Sequence, residues 1–497
     1  MEKELMGPLM FAGLVAFMLF GYPVAFSLAA VGLFFGFIGI ELGFFQFALM
    51  QALPERVFGI LSNELLLAIP FFTFMGAILE RCGLAEDLLE GMGQLFGPVR
   101  GGLAYAVIIV GAILGAITGT VAASVIAMGL ISLSVMMRYG YDMKLATGVI
   151  AASGTITQLI PPSLVLVILA DQLGKSVGDM YAGAIGPSIV QVLLFIGYIA
   201  VLSIIRPNAM PALPPEARTL RGWALLSKVM WGMVPSLALI FLVLGTIFLG
   251  LATPTEAGAM GAVGALALAA LHRRLTWPLL SEGMATTMRI TAMVIYILIG
   301  STVFSLVFRA MDGDLWLEGL LTSLPGGAVG FLIFVNLFVF FLAFFLDFFE
   351  IAFIIVPLLA PVAHKLGIDL IWFGVLLGAN MQTSFMHPPF GLALFYLRGI
   401  APKEVKSSDI YWGAVPWVGL QLMLVAILIY WPGLVTDFVP KHTRVDPAKV
   451  EIRLDEPSKE ALESPVISEG APATTEEKPS AEEDAAAELQ RQFKLGR

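Results

Sequence analysis

GANMQTSFMHPPFGLALF, residues 378–395, places Asn380, Gln382, Thr383, Ser384 and His387 beside a Pro388-Pro389 pair, inside a chain otherwise suited to lipid. Proline has no amide hydrogen to donate and disfavours a helical residue before it, so this stretch reads as a helix that stops midway and frees carbonyl oxygens. An earlier stretch has the same design. SGTITQLIPPS, residues 153–163, carries hydroxyls and an amide up to Pro161-Pro162. YGYD precedes the first pair and LGID the second, and from aspartate (142, 369) to first proline (161, 388) the distance is 19 residues both times. At the same offset of 227 residues, Gly140 falls on Gly367, Ala152 on Ala379 and Thr157 on Ser384. YAGAIGP from Tyr181 resembles YWGAVP from Tyr411, and GYPVAF, with Pro23, sits at a similar offset to ATPTEA, with Pro254. The chain therefore reads as two related halves.

Composition sets the solvent. Over 497 residues the chain is 58% hydrophobic and 13% charged, with a mean hydropathy of +0.90, far from the ~45–50% and ~25% of soluble domains. This is an all-α polytopic membrane protein, with ten to twelve spans expected from its apolar runs. The N-terminus, MEKELMGPLMFAGLVAF, lacks a basic region and a small-residue cleavage site, so it reads as a retained first helix. Cys82 is the single cysteine, which excludes an intrachain disulfide and a CxxC site. Nothing is basic enough for nucleic acid. The tail 441–497 holds 13 Asp and Glu against 9 Lys and Arg and, with its Glu, Ala, Pro and Ser, reads as disordered. The expected organisation is a first repeat at 1–205, a proline-rich linker at 206–230, a second repeat at 231–440 and the tail. Four Lys or Arg place the linker in the cytoplasm.

Two halves with interrupted helices point to a secondary transporter, whose sites form where broken helices of the repeats meet near the bilayer midplane. Residues 101–137 are too many for one comfortable span and too few for two, so a re-entrant hairpin is expected there. Its tip is Thr118, Gly119 and Thr120. A second hairpin is expected at 328–363 with its tip in FLDFFE, where Asp347 aligns with Thr120. Broken helices follow at 143–171 and 370–398. A hairpin tip at this depth is tolerated only inside protein or against a water-filled cavity. Hydroxyl, amide and freed carbonyl oxygens are hard neutral ligands suited to Na⁺. One sodium site per half is expected, drawing on Thr118, Thr120, Ser153, Gly154, Thr155 and Thr157 in the first, and on Asp347, Ala379, Asn380, Gln382 and Thr383 in the second. Any single Ser or Thr is better explained by bonding to its own helix or a neighbour; the repeated combination of tip, polar run and proline pair is what favours an ion.

Asp347 and Glu350 lie one turn apart in an apolar segment, where carboxylates are costly and usually functional. The expected substrate path takes in Thr118, Gly119, Thr120, Pro161, Pro162, Asp347, Glu350, His387, Pro388 and Pro389. Glu256 in ATPTEA reads as a helix cap. HExxH, GxSxG and Walker A patterns are absent, so no enzyme chemistry or P-loop hydrolysis of ATP is expected and an ion gradient is the driving force.

These residues resemble the large membrane subunit of tripartite ATP-independent periplasmic (TRAP) transporters. The resemblance rests on GYPVAFSLA, ELLLAIPFFTFMGAILE, GAITGT, GYDMKLATGVIAASGTITQLIPPS, ATPTEAGA and LGIDLIWFGVLLGANMQTSFMHPPFGLALF, across residues 5–440. Many members carry Ser-Gly-Ser at the first tip, where this chain has Thr118-Gly119-Thr120, and polar residues at the second, where it has FLDFFE. The resemblance implies two inverted repeats, an elevator mechanism carrying Na⁺ and an organic acid inward across the bacterial inner membrane, and two partners: a small four-helix membrane subunit and a periplasmic substrate-binding protein. A stand-alone sodium-coupled dicarboxylate or citrate symporter is the alternative, with a membrane enzyme or channel behind it.

Overall fold

Helices dominate a computed structural model that describes residues 3–118, 121–388 and 391–440, and among these residues there is no strand. Among the described residues seven helices are long and apolar enough to cross a membrane, or up to nine if two bent pairs, Phe47–Leu61 with Glu64–Arg81 and Gly313–Thr322 with Gly327–Leu342, each count as a span. That is fewer than the ten to twelve expected. Several apolar runs in the sequence become half-length helices, such as Gly102–Ala116 and Leu164–Leu173, which are too short to span alone.

In chain order the first half contributes α1 (Val24–Glu41), α2 (Ala68–Arg81), α3 (Leu84–Phe96), α4 (Gly102–Thr118), α5 (Val121–Met128), α6 (Met143–Thr155), α7 (Leu164–Leu173) and α8 (Val177–Ile205). After the helix Gly222–Phe248 come α9 (Pro254–Leu271), α10 (Trp277–Ala310), α11 (Gly313–Thr322), α12 (Gly327–Leu342), α13 (Val356–Lys365), α14 (Leu370–Met381), α15 (Leu392–Ile400) and α16 (Ser407–Tyr430). The same sequence of elements recurs. Starts at 24 and 254, 84 and 313, 143 and 370, and 177 and 407 are spaced by 227 to 230 residues. Local chemistry explains the matching starts: Asp142 accepts the amides of Lys144 and Leu145, and Asp369 those of Ile371 and Trp372, each side chain satisfying donors that the first helical turn leaves orphaned.

Packing exchanges the halves. α1 packs on α10 and α9 on α2; α6 packs on α16 and α14 on α8; α7 packs on α14 and α15 on α6. Close approach is bought with glycine, as membrane helices lack a hydrophobic drive to associate and rely on small residues instead. A Cβ on Gly300 of α10 would sit 2.3 Å from the Ala25 carbonyl oxygen of α1, and one on Gly32 would sit 3.0 Å from the Phe304 backbone. Outward, large apolar side chains such as Phe241 and Ile204 are exposed, and Trp277 and Tyr430 stand exposed at helix ends, where amphipathic rings suit the membrane–water interface.

Candidate functional site

The two helix breaks are built alike and differ in what completes them. In the first half α6 tightens into a 3₁₀ turn at Ile156–Gln158, the Pro161-Pro162 bond is cis, and Ser163 restarts the helix by accepting the Val165 amide. In the second, α14 tightens at Gln382–Met386 and the chain turns at His387 and Pro388 before α15. There the Gly391 amide donates to the His387 carbonyl at 2.6 Å, and a Cβ on Gly391 would fall 2.9 Å from the His387 and Phe385 carbonyl oxygens, so only glycine fits the turn.

The carbonyls freed by the first break are not all left open, as the sequence had suggested. Ser163 Oγ donates to the Gln158 carbonyl at 2.6 Å, Ser188 Oγ to the Leu159 carbonyl at 3.1 Å and the Tyr181 hydroxyl to the Ser163 carbonyl at 3.4 Å. Several expected ligands also spend their hydrogens locally. Thr155, Thr157 and Thr383 donate to the carbonyls of Ala152, Gly154 and Asn380 at 2.9, 2.9 and 2.8 Å. A hydroxyl that donates one hydrogen keeps oxygen lone pairs for another partner.

Two oxygens stand out because nothing donates to them. Ser153 Oγ and Asn380 Oδ1 are buried without a hydrogen-bond partner, and they occupy equivalent places, eleven residues after the capping Asp142 and Asp369. Buried acceptors without partners are rare. Ser153 lies against α4, where a Cβ on Gly111 would meet Ser153 Cβ at 2.8 Å and one on Gly115 would meet Thr157 Cα at 2.9 Å. Asn380 is held by α12: its Nδ2 donates to the Asn336 carbonyl at 2.7 Å and to Asn336 Oδ1 at 3.0 Å. Gly154 and Ala379 are buried beside them. Asn336 escaped the sequence reading because it is a lone amide in an apolar run; the GxxxG spacing of Gly111 and Gly115 was a visible sign of close packing.

In FLDFFE the two carboxylates cap a short helix, Phe348–Glu350. Asp347 Oδ1 accepts the Glu350 amide at 3.2 Å, and Glu350 Oε2 accepts the Asp347 amide at 3.0 Å, a reciprocal capping box. His387 is stacked on Phe344 with ring centroids 4.1 Å apart and edge-on to Phe340 at 4.5 Å, and neither ring nitrogen has a hydrogen bond of ordinary geometry. Gly119, Thr120, Pro389 and the side chain of Thr118 lie outside the described residues. A cavity of about 260 Å³ joins both halves: Ala122 and Gln158 line it from the first, Asp347, Phe385 and Tyr396 from the second, and Met293 from α10. Asp347 supplies its negative charge; among the described lining residues there is no Lys or Arg.

The family model for the tripartite ATP-independent periplasmic transporter, DctM component, matches residues 11–434. The chain belongs to this family. As a DctM-type large permease it is 29% identical over 387 residues to the C4-dicarboxylate TRAP transporter large permease protein DctM of Pseudomonas aeruginosa, covering 78% of this chain and 88% of that one. It is 28% identical to the sialic acid TRAP transporter large permease protein SiaM of Vibrio cholerae, over 83% of this chain and 93% of the relative. It is 26% identical to the isethionate TRAP transporter permease protein DctMQ of Oleidesulfovibrio alaskensis, over 84% and 65%. Among solved structures the YdaH transporter of Alcanivorax borkumensis shares the fold, with a TM-score of 0.58 at 16% identity over 79% of this chain and 90% of that one. These relatives are transporter permeases whose named substrates differ.

Proposed function

We propose that this permease imports an organic acid across the bacterial inner membrane by sodium-coupled secondary transport, working with a small four-helix membrane subunit and a periplasmic binding protein. The observation that carries the sodium reading is the pair of unpartnered buried oxygens, Ser153 Oγ and Asn380 Oδ1, at equivalent places in the two breaks. With the hydroxyl oxygens of Thr155, Thr157 and Thr383 they form hard, neutral donor sets of the kind Na⁺ takes, so the residues fit the ion. Sodium bound there supplies positive charge beside a cavity whose described lining has none of its own. Gln158 offers an amide to the substrate and Tyr396 a phenol, while Phe348, Phe349 and Phe385 favour an acid with an apolar body. Asp347 repels a carboxylate unless a cation or proton balances it.

In the elevator reading, the hairpins and broken helices move together against a frame that includes α1, α2, α9 and α10, with the two halves inverted in the membrane. The exchanged packing of the halves supports this, since each broken helix is gripped by elements of the other half. The test is uptake by proteoliposomes holding both membrane subunits, with the binding protein supplied outside. Accumulation that needs an inward sodium gradient and the binding protein is expected. Uptake unchanged when choline replaces sodium sinks the coupling, and uptake without the binding protein favours a stand-alone symporter.

A further inference from the structure

Two glutamines inside apolar helices are unused by the reading above. Gln191 of α8 and Gln421 of α16 are each 0% exposed, and each is the fifteenth residue of its helix. A buried amide costs free energy unless it is bonded. Both bond to the opposite half. Gln191 Nε2 donates to Gln382 Oε1 at 2.7 Å, and Gln382 Nε2 donates back to Gln191 Oε1 at 3.2 Å. Gln421 Nε2 donates to Thr155 Oγ1 at 2.8 Å.

The two gripped residues are themselves equivalent. Thr155 and Gln382 each stand thirteen residues after the capping aspartate, at 142 and 369, where the α-helix gives way to the 3₁₀ turn. Each also stands two residues after an unpartnered oxygen, Ser153 Oγ or Asn380 Oδ1. The long helix of one half therefore holds the ion-binding turn of the other, twice over. Trp417, one turn before Gln421, packs edge-on against Phe195 and Tyr198 of α8 at 4.9 and 5.1 Å between centroids, so the two gripping helices are wedged together.

We infer that Gln191 and Gln421 are positioning residues that tie the two breaks into one unit, so that sodium at one break sets the geometry of the other and binding is cooperative; this rests on the sodium-coupled reading. The braces are unequal. Gln191 and Gln382 are bonded through both ends of their amides, whereas Gln421 Oε1 has no partner and Thr155 keeps its bond to the Ala152 carbonyl. Losing Gln191 strands a whole buried amide; losing Gln421 removes one donor to a hydroxyl already bonded.

The probe is sodium itself, titrated against choline at constant ionic strength on the purified complex of both membrane subunits, reading the midpoint of thermal unfolding. The wild type should respond with a Hill slope above 1. Gln191→Met and Gln421→Met, which keep side-chain length without the amide, should bring the slope to about 1 and raise half-saturating sodium by about tenfold, more for Gln191. Midpoints lowered equally at every sodium concentration, with slope and half-saturation unchanged, mean the braces are only structural and overturn the inference. A wild-type slope of 1 overturns the coupling while leaving the sodium reading intact, and a wild type that ignores sodium removes both. Gln421→Asn, which withdraws the amide by one methylene, is read by the same outcomes if the Met variants are not recovered from the membrane.

Discussion

Ser153 separates folding from ion binding better than its neighbours, because its hydroxyl makes no hydrogen bond that a substitution would break. Ser153→Ala should leave thermal stability within about 0.5 kcal/mol yet raise the sodium needed for half-maximal uptake about tenfold or more; an unchanged sodium curve would return the oxygen to packing. Asp347 and Glu350 call for a different comparison, since their side chains cap each other's backbone. Asn at 347 and Gln at 350 both keep an acceptor oxygen, so neither variant should cost more than about 1 kcal/mol. Asp347→Asn removes the charge facing the cavity and should alter the sodium and pH dependence of uptake, while Glu350→Gln should not. Equal effects of the two would show that the charge at 347 has no special part. Cys82 is 1% exposed and donates to the Leu79 carbonyl, and burial pushes its thiol above the usual range. Only the thiolate reacts, so a maleimide at pH 7 to 8 should label the native permease poorly and the denatured chain fully.

Among elements, one of the close contacts between the halves runs along α6 and α16. A Cβ on Gly148 would sit 2.2 Å from the Gly413 carbonyl oxygen, and one on Gly413 would sit 2.3 Å from that of Lys144, so Gly413→Ala must push the helices apart. Overpacking of this kind costs about 1–3 kcal/mol and should lower the thermal midpoint of the purified permease; Gly419→Ala, on the same helix with open space around it, should not. Since alanine favours a helix over glycine, an equal fall in both would mean that the close contact at Gly413 is not the cause. The breaks themselves were legible in the sequence, because proline pairs and capping aspartates act on their own neighbours and repeat at a fixed offset. The braces were not. Gln191 and Gln421 are single polar letters in long apolar helices, and their partners lie 191 and 266 residues away, so no local period could reveal them. Their shared place in α8 and α16 was the one sign available. The carboxylates of FLDFFE were visible as residues but not as mutual caps, since an Asp-x-x-Glu pattern inside an apolar run reads first as buried charge.

Across the whole molecule, neither half is complete. Each broken helix packs on helices of the other half, and each half leaves a buried glutamine reaching for a residue that only the other supplies. For a chain made from one end this imposes a wait. Gln191 enters the membrane long before Gln382, and Thr155 precedes Gln421 by 266 residues. At ~5–20 residues per second, synthesis holds the first half without its partners for about 10 to 50 s. Throughout that interval α8 carries the unpaired amide of Gln191 in lipid, the kind of surface that membrane quality-control proteases recognise. A fragment ending after the linker at residue 230 should therefore decay much faster in a pulse-chase experiment than the full chain, and simultaneous expression of residues 231–497 should slow that decay. Equal lifetimes with and without the second piece would mean that the first half finds other partners while it waits.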